Sequence, residues 1–404
     1  MKKNLERFLR YVKIDTQSDE LSTTSPSSMK QFDLANVLYE ELKEMNVNCS
    51  MSKEGIIIGE IPSNTDKVVP VVGFLAHMDT ALDLTGKDVK PQVINNYQGE
   101  DIKLNDLYTL SKNQYKSLLN KVGHTLVTTS GDTLLGADDK SGIVIIMGLI
   151  DYLLEHPEIE HGTVKFAFTI DEEIGRGSEC FDIDSFGCDY AYTVDGGNPN
   201  EVEYECFNAA SANVIIEGVS IHTGSAKGVM INSQHLAMEF FSLLPKELDP
   251  SLTEGYEGFN HLNHINGSVE KTSMNFLIRN HDKTLFNKQK EDFINAMNII
   301  NKKYNKELCK VEIKDTYSNM KDYLEDKMYV VDIAYDALRK NGLTPISNPI
   351  RGGTDGASLT MNGLPCPNLG TGGYNFHGRY EYLSLNELEL MINVLVDIVK
   401  LSCK

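Results

Sequence analysis

A chain of 404 residues with 41% hydrophobic content can bury a large core, and its length allows two domains or one domain with a substantial insertion. A formal charge of -20 excludes nucleic-acid binding, which needs clustered Lys and Arg against phosphate. The start MKKNLERFLRYVKI has no apolar secretory core, the longest apolar run (143–150) is too short to span a bilayer, and the cysteines form no CxxC pair, so a cytoplasmic protein without a membrane partner is expected.

Leu5, Phe8, Leu9 and Val12 recur at helical spacing, and Phe32, Ala35, Leu38 and Leu42 repeat it after a Ser/Thr-rich loop at 22–28. Strands are expected at 55–61 and 68–76, the second apolar enough to be buried on both faces and ending at His77. Residues 81–130 read as polar and irregular. GADDKSG at 136–142 then opens an apolar helix over 143–154. Strand 163–170 ends in the acids of DEE, and the strand from Tyr190 ends at Asp195. Apolar strands thus deliver acid or imidazole at their C-terminal edge, where open α/β sheets bind ligands.

From about Asn208 the pattern changes to α+β. Strands are expected near 211–217, 273–280 and 309–314, with helices near 232–244 and 284–303. The tail returns to α/β character with helix 327–341, a Gly-rich loop at 351–356, a strand-like 365–369, a second Gly-rich run to His377, and helix 384–401.

Two adjacent glutamates, Glu172 and Glu173, are the sharpest chemical signal. Packed together they raise one another's pKa, unless a metal makes one a ligand and leaves the other as a base. The chain offers further donors at His77 with Asp79, Asp138, Asp195 and His377. Alone, each reads equally well as structural: HxD at a strand end, or Asp138-Asp139 as a helix N-cap. Together they form a His/Asp/Glu set suited to zinc, with manganese or cobalt as substitutes, and a bridging carboxylate holds two divalent ions in two-metal hydrolases.

The stretches YVKIDTQS, GFLAHMDT, TLLGADDKSG, AFTIDEEIG, AYTVDGG, FNAAS, AKGVMIN, TEGYEGF, IRGGTDG, GLPCPNL and TGGYNFHG run nearly end to end. In that order they resemble peptidase T, the tripeptide aminopeptidase branch of the two-zinc superfamily that also holds carboxypeptidases and aminoacylases. The resemblance implies an α/β zinc-exopeptidase catalytic domain (1–207 and 315–404) with a central mixed, mostly parallel sheet and an inserted α+β lid or dimerisation domain (208–314). It implies that His77 and Asp195 bind one zinc, Glu173 and His377 the other, and Asp138 bridges both. Glu172 would be the general base, Asp79 would steady His77, and His222, Arg279, Arg351 and Asn375 would contact substrate. The implied substrates are short peptides, chiefly tripeptides with a free N-terminus. The alternatives are a dipeptidase, carboxypeptidase or N-acyl amino acid hydrolase of the same superfamily, or a binding protein without catalysis. Apolar positions on 232–244 fit a homodimer interface or the insertion's own core. Two residues depart from the expected pattern: Thr223, where proline is expected after His222, and Gly370, where a bulky residue is expected before TGG.

Overall fold

The apolar runs VGFLAH, VKFAFT and YAYTVDG form the strands Val72–His77, Val164–Thr169 and Tyr190–Gly196 in the computed structural model, which describes residues 1–403. All six residues of Val72–His77 are buried, as a strand covered on both faces requires. The three strands lie at the centre of a seven-stranded sheet in the order Asn48–Met51, Ile57–Ile61, Val164–Thr169, Val72–His77, Tyr190–Gly196, Asn368–Gly370, Val202–Glu203. The four strands from Val164–Thr169 to Asn368–Gly370 run parallel, and the remaining three are antiparallel to their neighbours. The strand expected from 68 starts at Val72, leaving Val68 fully exposed.

Helix Ala137–Glu155 packs on this sheet, and helices Lys2–Tyr11 and Leu385–Leu401 pack on the helix in turn. Residues 143–150 are buried on every side, which explains why they are apolar all round rather than amphipathic. Two glycines permit the close approach. A Cβ at Gly142 would lie 1.9 Å from the carbonyl oxygen of Val194, and one at Gly148 would lie 2.4 Å from Ile392 Cδ1. The helix start is thereby brought against the strand that carries Asp195. Buried Arg7 of helix Lys2–Tyr11 bonds to Glu41 of a further helix, Gln31–Glu44, at 2.6 Å and to Asp151 of Ala137–Glu155 at 2.9 Å.

The stretch 81–130 is more ordered than its polarity suggests. Gln92–Ile94 and Leu126–Thr128 join Gly373–Tyr374 and Tyr382–Ser384 in a four-stranded sheet. Tyr97, Ile102, Leu104, Leu110, Leu118, Leu126 and Tyr382 form its core. These apolar residues follow no helical or alternating period, and the pairing joins segments far apart in sequence.

Residues 1–204, 323–348 and 354–404 form this first compact unit, and 205–322 with 349–353 form a second. The second is a four-stranded antiparallel sheet in the order Phe259–Gly267, Lys271–Asn280, Asn208–Glu217, Cys309–Tyr317. Helices Ser233–Leu243 and Lys283–Tyr304 pack on it around Phe240, Phe276 and Phe293. Among the described residues, no helix is long and apolar enough to cross a membrane.

Candidate metal centre

The centre forms where the parallel strands end. His77 is the last residue of Val72–His77 and only 2% exposed, and Asp195 lies one residue before the end of its strand. Strand Val164–Thr169 passes through Ile170 and left-handed Asp171 into the short turn Glu172–Ile174. Asp138 stands at the start of helix Ala137–Glu155, where it and Asp139 have non-helical backbone angles. His377 comes from the turn between Gly373–Tyr374 and Tyr382–Ser384.

Asp138 is the common member. Its Oδ1 lies 3.0 Å from His77 Nε2, and its Oδ2 lies 3.2 Å from His377 Nε2. His77 Nε2 also faces Asp195 at 3.4 Å, and His377 Nε2 faces Glu173 at 3.1 Å. Two overlapping groups, His77/Glu172/Asp195 and His77/Asp138/Glu173, each have ligand atoms within 4.8 Å of one another.

Asp79 organises the site from behind. It takes the N–H of Glu172 on Oδ1 and that of Glu173 on Oδ2, both at 3.1 Å, and Ser18 donates its hydroxyl to Oδ2 at 2.5 Å. His77 Nδ1 lies 3.1 Å from the Asp79 carbonyl and 3.3 Å from its Oδ1. With the Nδ1 proton held there, a neutral His77 presents only a lone pair at Nε2 toward two carboxylates. Glu173 Oε1 is buried without a hydrogen-bond partner among the described residues. A lone pair facing lone pairs and an orphaned buried oxygen are the marks of a cation site, and the imidazole and carboxylate donors fit a divalent ion.

The charges agree with that fit. Burial pushes Asp195, Asp139 and Glu172 well above the carboxylate range, and neighbouring acids add to it: Asp138 against Asp195, Asp195 against Asp139, and Asp195, Asp355 and Glu173 against Glu172. Burial opposes ionisation of Asp138, but the two imidazoles hold it below its usual value. Bonds to Asp138 and Glu173 carry His377 up to about 11. Burial opposes the charged form of His77, yet Asp195 and Asp138 hold its pKa well above normal. Protons thus sit where a cation would. Metal must displace them, so its affinity is expected to rise with pH, and calorimetry in buffers of different ionisation heat should register proton release on binding.

The two aspartates of GADDKSG divide their tasks. Asp138 faces the imidazoles, while buried Asp139 accepts the N–H of Gly142 at 3.1 Å, as a helix cap does, and that of His77 at 3.2 Å. Asn375, also from the His377 turn, has left-handed φ and donates to the Tyr380 carbonyl at 2.9 Å. The other expected substrate contacts belong to the second unit. His222 is exposed and its Nδ1 accepts the Gly224 N–H at 3.1 Å. Arg279 lies over the Tyr317 ring and donates to the carbonyls of Ala210 and Ile278. Arg351 packs over Phe207 and Phe259, with Nη1 bonded to the carbonyls of Gly255 and Glu257 and Nη2 to the Thr253 hydroxyl. Both its Nη atoms are therefore engaged by the 253–257 turn. Gly370 has a steric reason: a Cβ there would lie 2.0 Å from the Asn198 carbonyl oxygen, so the bulky residue expected has no room.

Sequence reasoning missed three buried acids. Asp171, the first acid of DEE, receives the Ser27 N–H and hydroxyl and the Gln31 amide, pinning the turn of Glu172 to the 22–28 loop. Asp355, inside RGGTDG, accepts the Thr169 hydroxyl at 3.0 Å, and burial lifts it to about 6. Glu381 follows His377 by four residues and bonds to the backbone at Asp138. Asp171 and Asp355 stand in motifs singled out for other residues, AFTIDEEIG and IRGGTDG, whereas Glu381 lies just beyond TGGYNFHG and carries no such signal.

Residues 133–401 match the model of peptidase family M20/M25/M40. The chain belongs to this family of metallopeptidases. Within it the chain groups with peptidase T: it is 52% identical to peptidase T of Clostridium perfringens over 99% of both chains, and 48% identical to that of Bacillus licheniformis over 99% of this chain and 98% of the relative. Among solved structures, the aminopeptidase PepT of Bacillus cereus matches with a TM-score of 0.79 at 21% identity, covering 100% of this chain and 99% of that one. A dinuclear metal binding M20 peptidase of Bacillus subtilis matches with a TM-score of 0.66 at 14% identity, over 99% of this chain and 98% of its own, a likeness of fold.

Proposed function

We propose that the chain is a tripeptide aminopeptidase whose centre holds two zinc ions, with manganese or cobalt as substitutes: His77 and Asp195 take one ion, Glu173 and His377 the other, and Asp138 spans both. The observation that carries this reading is that both oxygens of Asp138 are spoken for, one by each imidazole Nε2. Metal bound there would polarise the scissile carbonyl and acidify the attacking water.

The chain's own groups do the rest. Glu172 takes a proton from the attacking water and returns it to the leaving amine. Asp79 keeps the His77 ring in one tautomer and, through the two N–H groups it accepts, fixes the turn of both glutamates. His222 supports the developing oxyanion. Arg279 and Arg351 are assigned to the C-terminal carboxylate, for which Arg351 would exchange its Nη bonds to the 253–257 turn for the substrate, and Asn375 contacts substrate beside His377. In this reading the inserted residues 208–314 serve as a lid that admits short peptides only, their remaining apolar positions are available to a homodimer, and the enzyme works in the cytoplasm on peptides with a free N-terminus.

An assay separates this from related amidohydrolases. Free tripeptides should be hydrolysed, and N-acetylation of the same tripeptides should lower kcat/KM by about 100-fold or more, because a site built around an ammonium is left unpaired. Preference for the N-acetylated forms would point to an N-acyl amino acid hydrolase instead.

A further inference from the structure

Glu381 is 1% exposed, and the reaction proposed above makes no use of it. Its carboxylate receives three main-chain N–H groups from the segment that carries Asp138. Oε2 accepts from Leu135 at 2.6 Å and Gly136 at 2.9 Å, and Oε1 accepts from Asp138 itself at 3.0 Å. It immediately precedes strand Tyr382–Ser384, which pairs with Leu126–Thr128 and so has little freedom to move. The turn that supplies His377 therefore reaches Asp138 twice: His377 meets its carboxylate and Glu381 meets its amide.

We propose that Glu381 is a positioning residue that fixes the bridging carboxylate of Asp138, and so sets the affinity of both metal positions at once. The proposal rests on the reading of Asp138 as the shared ligand. A carboxylate is the one side chain of this length whose two oxygens can both accept, as the N–H groups of Leu135, Gly136 and Asp138 require here. A glutamine could offer its oxygen to Leu135 and Gly136, but its NH2 would then face the Asp138 N–H, donor against donor. The nearly isosteric change thus strikes the hold on Asp138 and spares the rest. A residue that merely stiffened the loop would affect thermal stability without changing how tightly metal binds.

Glu381→Gln can be compared with wild type by zinc titration of the chelator-stripped full chain, with melting of the stripped proteins as a control for folding. The wild type should take two ions. In Glu381→Gln both binding steps should weaken together by about 10–100-fold, the range for loss of a group that orients a ligand. Hydrogen exchange should also show lost protection in a peptide spanning 134–140. If Glu381→Gln does not fold, Glu381→Asp, which keeps the charge and withdraws the oxygens by one methylene, is read by the same measurements. A wild type that takes fewer than two ions overturns the dinuclear reading. A wild type that takes two ions beside a folded variant that binds them as tightly overturns the role of Glu381 alone.

Discussion

Glu172→Gln is expected to lower tripeptide turnover by about 10²–10⁴-fold, the usual contribution of a general base, while the variant keeps the metal content of the wild type. The backbone at this position is fixed by Asp79, which accepts the Glu172 N–H, so an amide of the same shape should stay in place. Contacts separate the two glutamates: burial pushes both up, but Glu173 faces His377 at 3.1 Å, whereas the Glu172 carboxylate has no imidazole at bonding distance among the described residues and is pushed well above its usual value by burial and by the surrounding acids. A group in that position holds a proton readily, as a base that must later act as an acid requires. Metal content and rate together decide the role. Loss of one ion from Glu172→Gln would make Glu172 a ligand, in keeping with its place beside His77 and Asp195, and near-normal turnover would remove it from the chemistry.

The second large effect is expected at Asp138. Other ligands of the proposed set serve one ion, so removing any of them should weaken one position. Asp138 faces both imidazoles, through Oδ1 toward His77 and Oδ2 toward His377. Asp138→Asn replaces one oxygen with an amide nitrogen that cannot bind metal and removes the negative charge. Affinity at both positions should therefore fall by about 100-fold or more, beyond the range for a group that only orients a ligand. Activity should disappear with it. Burial of the neighbouring Asp139 offers no rescue, because its oxygens are committed to the N–H groups of His77 and Gly142.

Much of the centre was legible because its residues lie in contiguous runs. The strands ending at His77 and Asp195 announce themselves by unbroken apolar character, and DEE follows a third. Asp138 was readable as ligand or helix cap, and the structure assigns the cap to Asp139 and the imidazole contacts to Asp138. The strand Phe259–Gly267 has no sequence signature because Phe259, Leu262 and Ile265 recur every third residue among polar ones and do not alternate, and it is an edge strand whose last five residues are exposed. The small sheet around Leu126–Thr128 escaped for another reason: its strands are two or three residues long and drawn from 92 to 384, so no local period marks them. Glu381 was hidden in the same way. Its partners are backbone N–H groups 243 to 246 positions away, and a carboxylate that binds backbone leaves no side-chain pattern to read.

Zinc titration of the chelator-stripped chain, followed by calorimetry and by return of tripeptide hydrolysis, tests the dinuclear centre most directly when wild type and Asp138→Asn are run side by side. Two ions per wild-type chain, recovery of activity with their binding, and simultaneous weakening of both steps in Asp138→Asn are the predicted result. Hydrolysis that survives chelation, or an Asp138→Asn chain that loses one ion and keeps the other at wild-type affinity, would contradict it.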